Sequence, residues 1–203
     1  MAENREYVKI ADIITPQASG TVRLDVVDVE EKDLSFRDKL TGLSEGRYAR
    51  LMDGDEILMA ETPLMKKTRE DFVSRAYGDI LIGGLGIGLV ILPIQDSPDV
   101  KSITVVENNS DVIKCVAPQF PFNEKVTIVH DDIFAYEPQK KKRYDCIYFD
   151  IWNSFDRSTY WNEMVPLKNR YVWEMRCLKM KLFRNNIVSC WCEEYARDNM
   201  RLI

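Results

Sequence analysis

Three carboxylates in the second half of this chain each follow a short apolar run. Glu107 closes the run over 102–106, Asp132 comes just after 126–130, and Asp150 follows 144–149. A carboxylate is an acceptor with two oxygens, able to take hydrogen bonds from both hydroxyls of a diol or to accept a proton. Glu107 lies roughly twenty residues beyond a glycine-rich turn, the spacing at which an acid meets a ribose. Its plainer alternative is a solvated residue at a strand end. Asp131 and Asp132 are also natural caps for a following helix. After Asp150 come Trp152, Asn153 and Phe155, and aromatic faces surround cations and amines favourably. Simple core packing is the competing role for Trp152 and Phe155.

The turn that precedes these acids is Gly83-Gly84-Leu85-Gly86-Ile87-Gly88. The apolar residues Ile80–Ile82 before it read as a buried parallel strand, and Leu89–Leu92 after it as an apolar helix that Pro93 bends or ends. Strand, glycine turn and helix form the first half of a nucleotide-binding βαβ unit, with free N–H groups at the helix start facing a ligand. The dinucleotide fingerprint G-x-G-x-x-G is not met, because Leu89 stands where its third glycine belongs.

The spacing that is present, G-x-G-x-G through Gly84, Gly86 and Gly88, resembles motif I of the class I S-adenosylmethionine-dependent methyltransferases. The resemblance implies a site for S-adenosylmethionine at Gly83, Gly84, Gly86 and Gly88 and at Glu107 and Asn108. It also implies that Asp132 accepts from the adenine amino group while Ile133 covers the ring. Asp150 holds the motif IV position, where the implied role is contact with the cofactor's amino group or acceptance of a proton from the nucleophile. Trp152, Asn153 and Phe155 then line the acceptor pocket. The N-P-P-Y or D-P-P-Y signature of amino-methyltransferases is absent from Phe149-Asp150-Ile151-Trp152, so the acceptor is left open as a small molecule or a protein.

A second resemblance runs from roughly Tyr48 to Asp150. A hairpin bearing Asp53-Gly54 ahead of the glycine motif is similar to the polyamine aminopropyltransferases, relatives of spermidine synthase, which use decarboxylated S-adenosylmethionine. The chain departs from them at Glu56 and Ile57, in the region of their glutamine. It departs again at Glu61-Thr62-Pro63-Leu64-Met65, in place of D-E-x-x-Y-x-E, and at Ile87, where their loop carries aspartate. Three functions follow as expectations: a methyltransferase first, an aminopropyltransferase second, and a non-catalytic S-adenosylmethionine-binding protein third.

The elements that must position these residues are expected in two regions. Residues 1–77 read as β-rich: a strand over Val22–Val29 with Asp25 and Asp28 outward, a solvated charge run at Glu30–Asp33, and a hairpin over 47–60 turning at Asp53-Gly54. Thr62 or Thr68 caps a helix reaching about Tyr77. Residues 78–203 read as an α/β three-layer Rossmann-like sheet in the order 3-2-1-4-5, with right-handed crossovers and little chain left for the last two strands of the seven-stranded class I sheet. Asn109 or Ser110 caps a helix to Ala117. Pro166 opens another with Leu167, Tyr171, Met175 and Leu178 inward. Residues 186–191 form a fifth strand, and Cys192 to about Met200 a closing helix.

With 203 residues, 45% hydrophobic and 30% charged, the chain can fill one core. A net charge of −5 argues against broad binding to nucleic-acid phosphates. The run Gln139–Arg143 is read as a solvated loop, because it enters the N-terminal end of its strand while ligands gather at the C-terminal ends. Five cysteines without C-x-x-C spacing and a single histidine, His130, read as core thiols and a packed or solvated imidazole, so no metal site is expected. The polar opening residues lack the apolar core of a signal peptide, and the run over 80–94 is too short to span a bilayer. The expectation is a cytoplasmic protein with no membrane partner, its oligomeric state open and compatible with a homodimer.

Overall fold

In the computed structural model, which describes residues 7–139, 142–174 and 187–199, two sheets divide the chain. The first contains β1 (Gln17–Ser19), β2 (Val22–Val29), β3 (Gly46–Asp53) and β4 (Glu56–Ala60), antiparallel and in sequential order. Between β2 and β3 lies α1 (Phe36–Leu40), closed by a capping box in which Ser35 and Asp38 exchange hydrogen bonds. Register places Asp25 opposite Arg50, and the two form an ion pair at 2.7 Å. In the β3–β4 hairpin Asp53 pairs with Glu56. The turn's central residues are therefore Gly54 and Asp55 rather than Asp53 and Gly54, because Gly54 supplies the positive φ, +55°, that the first central position requires.

The single connecting helix expected from Thr62 or Thr68 is two helices, α2 (Pro63–Lys67) and α3 (Glu70–Arg75). Thr62 caps α2 through the Met65 N–H, whereas the Thr68 hydroxyl donates back to the Met65 carbonyl and helps end it. Arg69 sits at the break and is 2% exposed.

The second sheet is built from β5 (Gly78–Gly83), β6 (Val100–Glu107), β7 (Val126–His130), β8 (Cys146–Phe149) and β9 (Ile187–Cys190). Every neighbouring pair is parallel and the spatial order is β7-β6-β5-β8-β9, which is 3-2-1-4-5 in order of appearance. Its helices are α4 (Ile91–Gln95), α5 (Ser110–Val116), α6 (Arg157–Thr159), α7 (Val165–Tyr171) and α8 (Glu193–Asp198), with a π-helical turn at Tyr160–Met164 joining α6 to α7. Alternation along β5 feeds two cores. Ile80 and Ile82 join Val105, Val112 and Val116 on one face, while Leu81 joins Ile147, Phe149, Leu167 and Tyr171 on the other. Burying each such side chain contributes roughly 1.5–3 kcal/mol, which explains why the strands read as unbroken apolar runs.

Pro93 does not end the helix after the glycine turn. The helix starts later, at Ile91, and Pro93 falls in its first turn, where the missing N–H has no intrahelical partner to lose. Asn109 caps α5 by accepting from the Asp111 and Val112 N–H groups. The antiparallel sheet docks on this helix: Ser19 Oγ meets Asp111 Oδ1 at 2.7 Å, and Gln17 Nε2 donates to the Lys114 carbonyl at 3.2 Å. Its Leu24, Ala49, Leu51 and Met59 share one continuous core with Leu85 and Ile87 of the glycine turn. Met175, Leu178, Cys177, Asn186 and Met200 lie outside the described residues. Among the described residues no helix is long and apolar enough to cross a membrane, and no three potential metal ligands cluster.

Candidate functional site

The C-terminal ends of β5, β6 and β8 open into a cleft of about 350 Å³. Its floor carries Gly84, Gly86, Glu107, Asn108, Asp132, Ile133 and Asp150, its rim Trp152, Asn153 and Glu163, and its roof Leu51, Asp53, Leu58 and Met59 from the β3–β4 hairpin. Most of the residues singled out from the sequence are thus brought together. Three are not among its lining. A Cβ on Gly83 would touch Ile133 and Phe149, and one on Gly88 would face Leu92 and Phe122, so both glycines serve packing. Phe155 stacks edge-on against Trp191, with ring centroids 5.4 Å apart, and belongs to the core instead.

Gly84 shows why the turn needs glycine. Its φ is +94°, and a Cβ there would come within 2.4 Å of the Asp150 carbonyl oxygen. The close approach follows from register, because β5 and β8 run side by side and the Asp150 N–H donates to the Gly83 carbonyl at 2.8 Å.

Glu107 is 8% exposed and holds the turn in shape. Its Oε2 accepts from the Leu85 N–H and its Oε1 from the Asn109 N–H, each at 2.9 Å. Each carboxylate oxygen can accept twice, so both keep capacity for a further donor from the cleft. Asn108, exposed, offers its carbonyl to His130 Nε2 at 3.0 Å, which leaves the imidazole at the surface beside β6. Asp132 accepts from the Phe134 N–H at 2.9 Å in a tight turn, and Ile133 is buried at 3% exposure between that turn and Gly83. No helix follows Asp131 or Asp132 for either to cap; Asp132 closes a turn over 133–135 and lines the cleft as well.

Asp150 carries the largest surprise. Arg69 grips it at two points, Nε to Oδ2 at 2.7 Å and Nη2 to Oδ1 at 2.8 Å, with both side chains buried. The guanidinium also donates to the Met65 carbonyl at 2.9 Å and lies 4.9 Å from the Trp191 ring centroid. Burial alone would lower the Arg69 pKa, but the adjacent Asp150 charge more than reverses this and holds it raised. No sequence signal marks Arg69, since it stands in a charged stretch 81 residues from its partner.

On the rim, Trp152 Nε1 donates to Glu163 Oε2 at 2.8 Å, and Asn153 Nδ2 to Glu56 Oε1 at 3.0 Å. The second bond ties the loop after β8 to the hairpin roof. Met59 and Leu51 were also invisible as cleft residues, although alternation along β3 and β4 does put them on the inward face.

No protein-family model matches the sequence, and no curated protein matches it. Solved structures similar to the chain include spermidine synthase from Thermotoga maritima, at 18% identity over 72% of this chain and 50% of that one, with a TM-score of 0.43. The CcbJ methyltransferase from Streptomyces caelestis is similar at 15% identity over 55% and 44%, TM-score 0.41. The plantazolicin methyltransferase BpumL, solved with SAH, is similar at 17% identity over 54% and 39%, TM-score 0.38. The matched part spans half or less of each of those proteins' own length. The strand order defines the Rossmann-like fold by itself.

Proposed function

We propose that residues 78–203 form an S-adenosylmethionine-binding unit roofed by residues 1–77, and that the protein is a methyltransferase for a small-molecule or protein acceptor. The observation that carries this reading is Glu107. A buried carboxylate, oriented by two backbone N–H groups, lies beside a glycine turn and retains acceptor capacity at the cleft. That donor-hungry arrangement fits a ribose diol. Asp132 supplies an acceptor for an exocyclic amine, Ile133 an apolar wall for a flat ring, and Gly84 and Gly86 admit a ligand against bare backbone.

When bound, S-adenosylmethionine supplies an electrophilic methyl group. The chain's own residues then act mainly by proximity and exclusion of water. Trp152, Asn153 and Glu163 line the rim, and in this reading they receive the acceptor. Asp150 is held by Arg69 through both oxygens, so in this reading it orients a ligand amine or the nucleophile.

One observation favours an aminopropyltransferase as the second reading. Asp53, Glu107, Asp132, Asp150 and Glu163 all line the cleft, and no lysine, arginine or histidine does so among the described residues. Such a wall suits a ligand without a carboxylate.

Thermal unfolding tests both. S-adenosylhomocysteine at 100 times its dissociation constant should stabilise the protein by about 2.7 kcal/mol, while NAD gives no shift. Absence of any shift with S-adenosylhomocysteine at millimolar concentration removes the reading. In competition calorimetry S-adenosylmethionine should bind at least tenfold (about 1.4 kcal/mol) more tightly than its decarboxylated form. The reverse order moves the assignment to aminopropyl transfer.

A further inference from the structure

Four N–H groups of the glycine turn, those of Gly84, Leu85, Ile87 and Gly88, already have acceptors. Gly84 donates to the Val106 carbonyl at 2.8 Å, Leu85 to Glu107, and Gly88 to the Leu85 carbonyl at 3.1 Å. Ile87 donates to the thioether of Met59, Sδ lying 3.5 Å from its nitrogen. Met59 is 7% exposed, and a Cβ built on Gly86 would fall 2.6 Å from both its Sδ and its Cε. The other three acceptors belong to the parallel sheet and its turn. Met59 alone among these four reaches in from the hairpin roof.

A thioether is an unusual choice there. It is a weak, neutral acceptor, good enough to spare a buried N–H the penalty of having no partner. A carboxylate oxygen makes a shorter, charge-assisted bond and displaces it readily. Methionine has three rotatable bonds and swings aside at little strain. A leucine of similar bulk would leave the N–H unsatisfied, and an aspartate or glutamate would repel an anionic ligand. The residue therefore combines the properties of a placeholder.

We propose that Met59 is a specificity-determining residue of the cleft: its thioether holds the Ile87 N–H until a ligand oxygen takes that place. The proposal rests on the S-adenosyl reading and adds to it. Binding a ligand with a carboxylate tail expels Met59 from the turn, whereas a ligand lacking the tail leaves it seated. Apparent affinity for the first kind is reduced by the fraction of molecules in which Met59 covers the turn, and removing the side chain restores it.

Two measurements on the full chain test this. In ligand-free protein, the Ile87 amide resonance should shift and its hydrogen exchange accelerate in Met59→Leu, which keeps the bulk and loses the acceptor. An unchanged Ile87 amide overturns the proposal whatever the ligand does. In calorimetry, Met59→Ala should bind S-adenosylhomocysteine at least fivefold more tightly than wild type. Affinity for 5′-methylthioadenosine, which has the nucleoside and thioether but no carboxylate, should stay within twofold. Equal gains for both ligands, or none for either, overturn the placeholder role while leaving the S-adenosyl reading in place. Failure of wild type and variant alike to bind either compound overturns the S-adenosyl reading and this inference together.

Discussion

The floor and the roof of the cleft are made by different rules. The floor comes from the ends of parallel strands, and its acids are held by fixed donors: Glu107 by the Leu85 and Asn109 N–H groups, Asp150 by Arg69, and Asp132 by the Phe134 N–H. The roof comes from one antiparallel hairpin and offers Leu51, Leu58 and a thioether, with Asp53 at its edge. Charge on the floor is locked by geometry, while the roof contributes shape and a movable group. A cleft built this way keeps its polar recognition rigid and leaves adjustment to the apolar side.

The largest expected effect breaks the floor. Arg69→Met leaves Asp150 buried without its partner and should lower unfolding stability by about 3–5 kcal/mol in urea titration. The double variant Arg69→Met/Asp150→Leu should recover most of that loss. If the single variant is as stable as wild type, Asp150 has another source of compensation.

A smaller effect sharpens the contrast. Glu107→Gln places an amide N–H₂ where one oxygen accepts a backbone N–H, so stability should fall by about 1–3 kcal/mol. S-adenosylhomocysteine affinity, measured by calorimetry, should fall by at least tenfold, because the remaining amide oxygen cannot serve both the turn and a diol. Affinity equal to wild type would make Glu107 a support for the turn alone.

The smallest effect is confined to the roof sheet. Burial tends to raise the Asp25 pKa, but hydrogen bonds from Arg50 and Arg23 outweigh it and hold the group below its ordinary value. A depressed carboxylate stabilises the fold above its unfolded pKa of about 3.9 and loses that contribution as the pH falls through its folded value. Asp25→Asn should therefore lose about 1 kcal/mol at pH 7 and progressively less in acid, with ligand affinity unchanged. A pH-independent difference between the two proteins would show that the ion pair is not its source.

Much of the floor was readable in advance because each of its features is local. Strands buried on both faces read as apolar runs, and a turn that admits backbone contact reads as glycine. Acids at strand ends follow those runs directly, so the meeting of Gly84, Glu107 and Asp132 was legible, whereas the order β7-β6-β5-β8-β9 was expected from the resemblance of the glycine motif and not from any local feature. The roof and the Arg69 grip were not legible. Met59 meets a residue 28 positions away and Arg69 one 81 positions away, and neither contact has a spacing rule. Phe155 stayed open between pocket and core because an aromatic near a strand end satisfies both equally well, and its ring packs edge-on against Trp191. Pro93 misled through register: the same residue breaks a helix interior and suits its first turn.

The distance along the chain between Arg69 and Asp150 also sets an order of events. Arg69 stands between the two sheets, ahead of β5, and Asp150 ends the fourth parallel strand. A polypeptide made from its N-terminus presents the cation before the acid that needs it. When β8 enters the sheet beside β5, its terminal carboxylate closes onto a guanidinium already present, and no stage of synthesis requires that carboxylate to be buried alone. A circular permutant opened ahead of β5 would reverse this sequence, emerging with the acid first and the arginine last.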